Sequence, residues 1–403
     1  MNFKKQKVLV MDDDKNISSF IADVVESEGY TALESSDMGT FKKYYNEHFP
    51  ERIILDLQLL GCDGIELIRY LAAEKSTSEI ILVSGADRRT LVTAHRLGEQ
   101  HGLKMGEMLQ KPITDKMLEG ALRRKSKSLL KFGGEDILAA LAEDHMTAVF
   151  QPQIVCGQDG RWSIDGVEAL ARWNHKEFGM ITPDKFIPCA EETGMIGPLT
   201  DYILQKSLRY IREWEKEGVN LKVAINLSGT MLSDLSLPDR IEKQLDKARV
   251  SSSQIVLEVT ETAVMSDIKG ASDILTRLRL KGFELSMDDF GTGYSSLSQL
   301  YRLPFSELKI DRSFVMEMHD NKEAGVIVRS LIDLAHNLGL VACAEGVEDK
   351  RTFQELTDLG CKKMQGFYFG KPVNADNLLH SIRQFNNQQL DYSVRTPGLH
   401  VTH

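Results

Sequence analysis

At 403 residues, 42% apolar and 27% charged, the chain is too long for one hydrophobic core and too apolar to be disordered, so two domains are the starting expectation. The formal charge of −10 excludes a nucleic-acid coat and argues against direct DNA binding, because phosphate backbones are held by net positive surfaces. Five cysteines, odd in number and never in a C-x-x-C pair, indicate neither a disulfide framework nor a zinc knuckle and fit a reducing compartment.

The opening "MNFKKQKVLVMDDD" has only a short apolar run before three aspartates, too little for a signal-peptide core, and no stretch approaches the roughly 18 apolar residues of a spanning helix. The expectation is a cytoplasmic protein without membrane insertion. Short β-branched runs then alternate with helical patterns: "KVLVMDDD", "ISSFIADVVESEGY", "RIILDLQLLGCDG", "IELIRYLAAEKS", "EIILVSGAD". That alternation predicts a doubly wound α/β domain whose parallel sheet is covered on both faces, with a ligand site at the carboxyl ends of its strands.

Those ends carry Asp12 and Asp13, Asp56, Ser84 and Lys111. Three carboxylates on one rim repel one another unless a hard cation sits among them, so the cluster reads as a Mg²⁺ site built for a phosphoryl group. One aspartate ending a strand is more often a turn or capping residue; the ordered set at successive strand ends outweighs that reading. Across roughly residues 6–122 these motifs resemble a response-regulator receiver domain, flavodoxin-like in fold. The resemblance implies phosphoryl transfer to Asp56 from a sensor histidine kinase or phosphotransfer protein. It also implies Mg²⁺ held by Asp12, Asp13 and Asp56, Lys111 paired with the phosphoryl oxygens, and Ser84 as the switch hydroxyl. Two positions depart from the family pattern: Leu60 replaces a common loop proline, and Met108 stands where an aromatic switch side chain is usual.

From about Ala148 eight strand-like runs follow, "AVFQPQIV", "DGVEALARW", "KVAINLS", "QIVLEVTE", "ELSMDDFG", "ELKID", "VACAEGVE" and "KKMQGFYFG". Most are separated by helical segments, which predicts a (β/α)₈ TIM-like barrel. The first two runs are joined by "CGQDGRW", too short for a crossover helix, so the opening strand should be antiparallel. Polar residues stand at or near successive strand ends: Glu168, Asn226, Glu258, Asp288 with Asp289, Lys309, Glu345 and Gln365. In a barrel these ends share one mouth. Carboxylates in such number repel a phosphate substrate unless divalent cations intervene, and two of them about 3.5–4 Å apart would polarise a phosphoryl oxygen and activate water. Oxygen-rich ligation favours Mg²⁺ or Mn²⁺ over zinc. Each residue alone reads more simply as a solvated, salt-bridged or capping group; a structural account of all eight together is harder to supply.

Over roughly Asp136–Phe385, "EALARW", "INLS", "LEVTET", "DDFGTGYSSL", "LKIDRSFV", "AEGVE" and "QGFYFGKP" resemble the EAL-type cyclic-di-GMP phosphodiesterases, which open the cyclic dinucleotide to linear pGpG. The resemblance implies a first metal on Glu168, Asn226, Glu258 and Asp288, and a second on Asp288 and Asp289 with Glu345. Lys309 would position or help activate the attacking water, and Gln365 would fix the water or substrate network. Glu261 would steady the "DDFGTGYSS" loop, and Gln151, Leu170 and Arg172 would meet the substrate, the arginine holding a phosphate. No position of the set is lost, which favours a hydrolase over the alternative of a cyclic-di-GMP sensor that acts through partners without cutting. A glycosidase with paired carboxylates would explain neither the adjacent aspartates nor Lys309.

The resulting organisation is a receiver domain at residues 1–124, a linker and lead-in helix at 125–147, an EAL domain at 148–388 and a flexible tail at 389–403, with a homo-oligomer implied by the family. The connector "KFGGEDILAALAED" resembles part of a cyclase signature, but too few residues surround it for a cyclase domain. It reads as a hinge, with Gly133 and Gly134 ending a basic helix in the left-handed conformation and Glu135 and Asp136 starting the next.

Overall fold

The computed structural model describes residues 6–59, 62–85, 88–123, 132–291 and 302–387. The chain divides into two compact units between Lys131 and Phe132. Leu60, most of the basic stretch "LRRKSKSLLKF", most of the "DDFGTGYSSL" loop and the tail lie outside the described residues.

The first unit holds a five-stranded parallel sheet of β1 (Lys7–Met11), β2 (Thr31–Ser35), β3 (Arg52–Asp56), β4 (Glu79–Ser84) and β5 (Lys104–Gln110), ordered β2-β1-β3-β4-β5. Alternate residues of the central strands point to opposite faces. Leu9, Ile53, Leu55, Ile80 and Leu82 pack with Phe41, Leu67 and Leu71 on one side. On the other, Val8, Val10, Ile54, Ile81 and Val83 pack with Ile21, Val25, Leu118 and Leu122. Both faces are covered, which is why these strands read as unbroken apolar runs. Each such side chain, fully buried, contributes about 1.5–3 kcal/mol.

The second unit is a closed eight-stranded barrel of β6 (Met146–Cys156), β7 (Trp162–His175), β8 (Lys222–Asn226), β9 (Ile255–Thr260), β10 (Glu284–Phe290), β11 (Glu307–Ile310), β12 (Val341–Ala344) and β13 (Lys363–Gln365). Strands β7 through β13 are parallel neighbours. Strand β6 runs antiparallel to both β7 and β13 and closes the ring, as the short first connection predicts.

The lead-in helix Gly134–Ala142 belongs to this second unit. Its start corrects the sequence expectation for the two glycines: Gly133 is the N-cap at φ −114°, outside the left-handed region, and Gly134 is the first helical residue. The Gly133 N–H donates to Asp136 Oδ2 at 2.7 Å, so the acidic residue caps the helix and no left-handed glycine is needed. Phe132 meets Trp173 edge-on, with ring centroids 4.8 Å apart, and its carbonyl accepts from Cys189 Sγ at 3.3 Å.

The barrel interior is polar below its mouth. Lys363 Nζ pairs with Glu307 Oε2 at 2.7 Å, and Ser286 Oγ donates to Glu307 Oε1 at 3.0 Å; all three side chains are buried. Such a layer is more often filled by branched apolar residues. Burial pulls the Lys363 ammonium down, but Glu307, together with Cys343 and Glu258, holds the group above its ordinary value.

Candidate functional site

In the first unit the strand ends gather the expected residues. Lys111 Nζ lies 2.6 Å from Asp56 Oδ2 and 2.9 Å from Asp12 Oδ2. Asp56 Oδ1 accepts from the Gln58 N–H at 2.9 Å, and Asp12 Oδ1 from the Asp14 N–H at 3.0 Å. Burial raises Asp12 above the usual carboxylate range, although Lys111 opposes it; burial likewise lowers Lys111, and the two aspartates more than compensate. Asp12, Asp13 and Asp56 each offer an oxygen within 4.8 Å of the others, a spacing one cation could bridge. Ser84 is fully buried at the end of β4, where its carbonyl accepts from the Lys111 N–H at 2.8 Å. Met108, on β5, is 39% exposed.

In the second unit the mouth of the barrel brings the remaining set together around Lys309, whose side chain is 1% exposed. Its Nζ lies 2.7 Å from Glu345, 3.0 Å from Glu258, 3.3 Å from Asp288 and 3.9 Å from Glu168. Burial pulls the ammonium down, but these carboxylates hold it well above its ordinary value. Burial also pushes Glu258 well up against the opposing Lys309, Glu345 to about 8, and Asp289 to about 6 with help from Asp288 and Asp311. Five carboxylates against one ammonium leave four negative charges uncompensated when all are ionised, the charge of two divalent cations.

Adjacent residues of a regular strand point to opposite faces, so Asp288 and Asp289 would ordinarily diverge. Here the β10–β11 register shifts between Met287 and Phe290, and Asp289 takes a left-handed φ of 54°. The irregularity turns both carboxylates toward Glu345, and the three groups offer oxygens within 4.8 Å of one another. Beside them Glu258 Oε1 is buried without a hydrogen-bond partner. A bare acceptor in that position costs about 1–3 kcal/mol unless something positive reaches it. The donor set and the orphaned oxygen therefore fit oxygen-ligated divalent cations.

Glu168 is held from two sides: Oε1 accepts from Asn226 Nδ2 at 2.8 Å and Oε2 from Gln365 Nε2 at 2.7 Å. Gln365 also reaches Gln151 Oε1 at 3.2 Å, and Gln151 contacts the Gly370 carbonyl at 3.4 Å. Glu261, 1% exposed, accepts from the Gly291 N–H at 2.9 Å, so it grips the first described turn of the loop that follows the aspartate pair. Leu170 and Asn226 open onto a largely apolar cavity of about 560 Å³ that Pro183, Ile187, Leu199 and Ile203 also line. Half-buried Arg172 donates to the Ala171 carbonyl at 2.8 Å, and burial lowers its guanidinium below its ordinary value.

The expected site residues thus fall in two clusters, apart from Leu170 and Arg172, on the strand that carries Glu168, and Glu261, which binds the Gly291 N–H. The interior group of Gln153, Glu307 and Lys363 is not among the residues expected from sequence, although each stands two residues from a mouth residue on the same strand and so on the same face.

A family model described as the EAL domain matches residues 135–372, more than half of the chain. The chain belongs to the EAL family. A second model, the response regulator receiver domain, matches residues 8–123 ahead of the EAL domain. The chain is 39% identical over 248 residues to the bifunctional diguanylate cyclase/cyclic di-GMP phosphodiesterase MucR of Pseudomonas aeruginosa, covering 61% of this chain and 36% of that protein. The cyclic di-GMP phosphodiesterase RocR of the same organism is 29% identical over 336 residues, covering 81% of this chain and 85% of RocR. The chain spans between 29% and 36% of the length of the first three curated relatives it matches. Among solved structures, a MucR phosphodiesterase in complex with c-di-GMP superimposes with a TM-score of 0.58 at 39% identity, covering 60% of this chain and 98% of that one. Among the described residues no helix is long and apolar enough to cross a membrane.

Proposed function

We propose that the chain is a response regulator whose EAL domain hydrolyses cyclic-di-GMP to linear pGpG with two divalent cations, Mg²⁺ or Mn²⁺, under the control of phosphoryl transfer to Asp56. The observation that carries this reading is the mouth of the barrel: four carboxylates around one buried lysine, a fifth, Asp289, grouped with Asp288 and Glu345, and Glu258 Oε1 left without a partner. A pure protein-binding surface has no use for that uncompensated charge. The names of MucR and RocR, and the c-di-GMP complex of MucR, support the same substrate.

In this reading Glu168, Asn226, Glu258 and Asp288 would hold one cation, and Asp288, Asp289 and Glu345 the other. Bound there, the cations supply Lewis-acid polarisation of the phosphoryl oxygen and an activated water. Lys309 holds the surrounding carboxylates at short range and would keep a positive charge where a water is activated. Gln365 and Asn226 orient Glu168, Arg172 meets a substrate phosphate, and the apolar floor at Leu170 and Pro183 receives the flat face of a base.

In the receiver domain Asp56 takes the phosphoryl group from a sensor kinase or phosphotransfer protein, with Mg²⁺ on Asp12, Asp13 and Asp56 and Lys111 on the phosphoryl oxygens. Ser84 then answers as the switch hydroxyl. The functional boundaries follow as a receiver domain over 1–124, a connector and lead-in helix over 125–147 and an EAL domain over 148–388, acting in the cytoplasm and as a homo-oligomer. Incubation of the purified chain with cyclic-di-GMP and Mg²⁺ or Mn²⁺ tests the proposal: pGpG is the expected product, and an intact dinucleotide with both metals refutes it.

A further inference from the structure

We propose that Gln153 is a positioning residue for the hydrolysis: from the layer beneath the mouth it holds the Gln365 amide in place and, through it, the carboxylate of Glu168. The inference rests on reading the EAL domain as a metal-dependent cyclic-di-GMP phosphodiesterase.

Gln153 and Gln365 are direct partners across the antiparallel β6–β13 ladder. Gln153 Nε2 donates to Gln365 Oε1 at 2.8 Å, which leaves the Gln365 amino group to face Glu168 Oε2 at 2.7 Å and Gln151 Oε1 at 3.2 Å. The two ends of a primary amide are nearly the same size, so its partners decide which end points where. Turned by half a rotation, Gln365 would set its carbonyl against the Glu168 carboxylate and the Gln151 carbonyl, three acceptors without a donor. It would also set its amino group against that of Gln153. Glu168 and Gln151 already call for a donor at that end, and the Gln153 donor holds the opposite end, so it reinforces the direction that serves Glu168.

The chain makes room for this donor. Gln153 is 1% exposed, and a Cβ built on Gly166 would lie 3.3 Å from Gln153 Oε1 and 3.1 Å from the Lys222 carbonyl, so any larger residue at 166 would crowd the side chain. With Asn226 holding Oε1, the Gln153–Gln365 relay completes the clamp on Glu168.

The test uses the full chain, with two readouts: steady-state hydrolysis of cyclic-di-GMP in Mn²⁺, and Mn²⁺ titration without substrate. Wild type, Gln153→Met, Gln365→Met and the double variant form a cycle. Groups that orient a metal-binding side chain typically matter by about 10–100-fold. Gln153→Met is accordingly expected to weaken Mn²⁺ binding and lower kcat by about 10-fold, with the KM for the dinucleotide within about twofold. In the Gln365→Met background it should change neither. A packing role would cost the same in both backgrounds, and that outcome, or wild-type values for Gln153→Met, overturns the proposal. Should Gln153→Met fail to fold, Gln153→Leu removes the same donor with a different shape. A wild type that binds Mn²⁺ without cutting the dinucleotide would refute the phosphodiesterase reading, while the titration cycle still decides the role of Gln153.

Discussion

Replacing Lys309 by methionine removes the one ammonium among four carboxylates at 2.7–3.9 Å, in a side chain shielded from water. Taking away one partner of a buried charge pair costs about 3–5 kcal/mol, because the remaining charge stays buried without compensation. In a domain of this size each kcal/mol moves Tm by about 2–4 °C, so the metal-free variant at pH 8 should melt about 6–20 °C below the wild type. The sign of the pH effect follows from the carboxylates. Burial already raises Glu258, Glu345 and Asp289, and loss of Lys309 raises Glu258 and Glu345 further. Below those values they are protonated, so the deficit should shrink toward pH 5. Divalent cations replace the missing charge, so saturating Mn²⁺ should recover more than half of the deficit at pH 8. Thermal unfolding with EDTA and with Mn²⁺, at both pH values, measures this. A deficit of equal size under all conditions, or none, would refute the electrostatic account of Lys309.

Further tests address the other parts. Metal loading must displace protons from Asp289, at about 6, and from the raised Glu258 and Glu345, so Mn²⁺ affinity measured by titration should climb from pH 5.5 to pH 8; a flat profile would contradict the assigned ligands. Glu261→Ala strands the Gly291 N–H, at a cost of about 1–3 kcal/mol, and should lower turnover more than Glu261→Gln, whose carbonyl can still accept; equal losses would show that the bond is immaterial. A small-molecule phosphoryl donor should add one phosphoryl group to the wild type and change its turnover. In Asp56→Asn, intact-mass measurement and the same kinetics should show neither effect.

The strands and the mouth residues were legible because apolar runs in these sheets end abruptly in polar residues, and the short "CGQDGRW" connection admits only an antiparallel first strand. Less legible was the pairing of Asp288 with Asp289 on one side, since strand alternation predicts divergence and only the local bulge and left-handed φ reverse it. Paired glycines in the connector suggest conformational freedom, whereas the Asp136 carboxylate, three residues after Gly133, decides the helix start. Gln153, Glu307 and Lys363 do not stand at the carboxyl ends of their strands; they lie two residues along the same face from the mouth residues, forward from Gln151 on the antiparallel strand and back from Lys309 and Gln365 on the parallel ones.

The central claim is tested most directly by following cyclic-di-GMP with the purified full-length chain in Mn²⁺, beside the same chain in EDTA and the Glu168→Ala variant. The account predicts conversion to pGpG by the metal-loaded wild type alone. Turnover that survives EDTA or the loss of Glu168, or a dinucleotide left intact by the metal-loaded wild type, would contradict it.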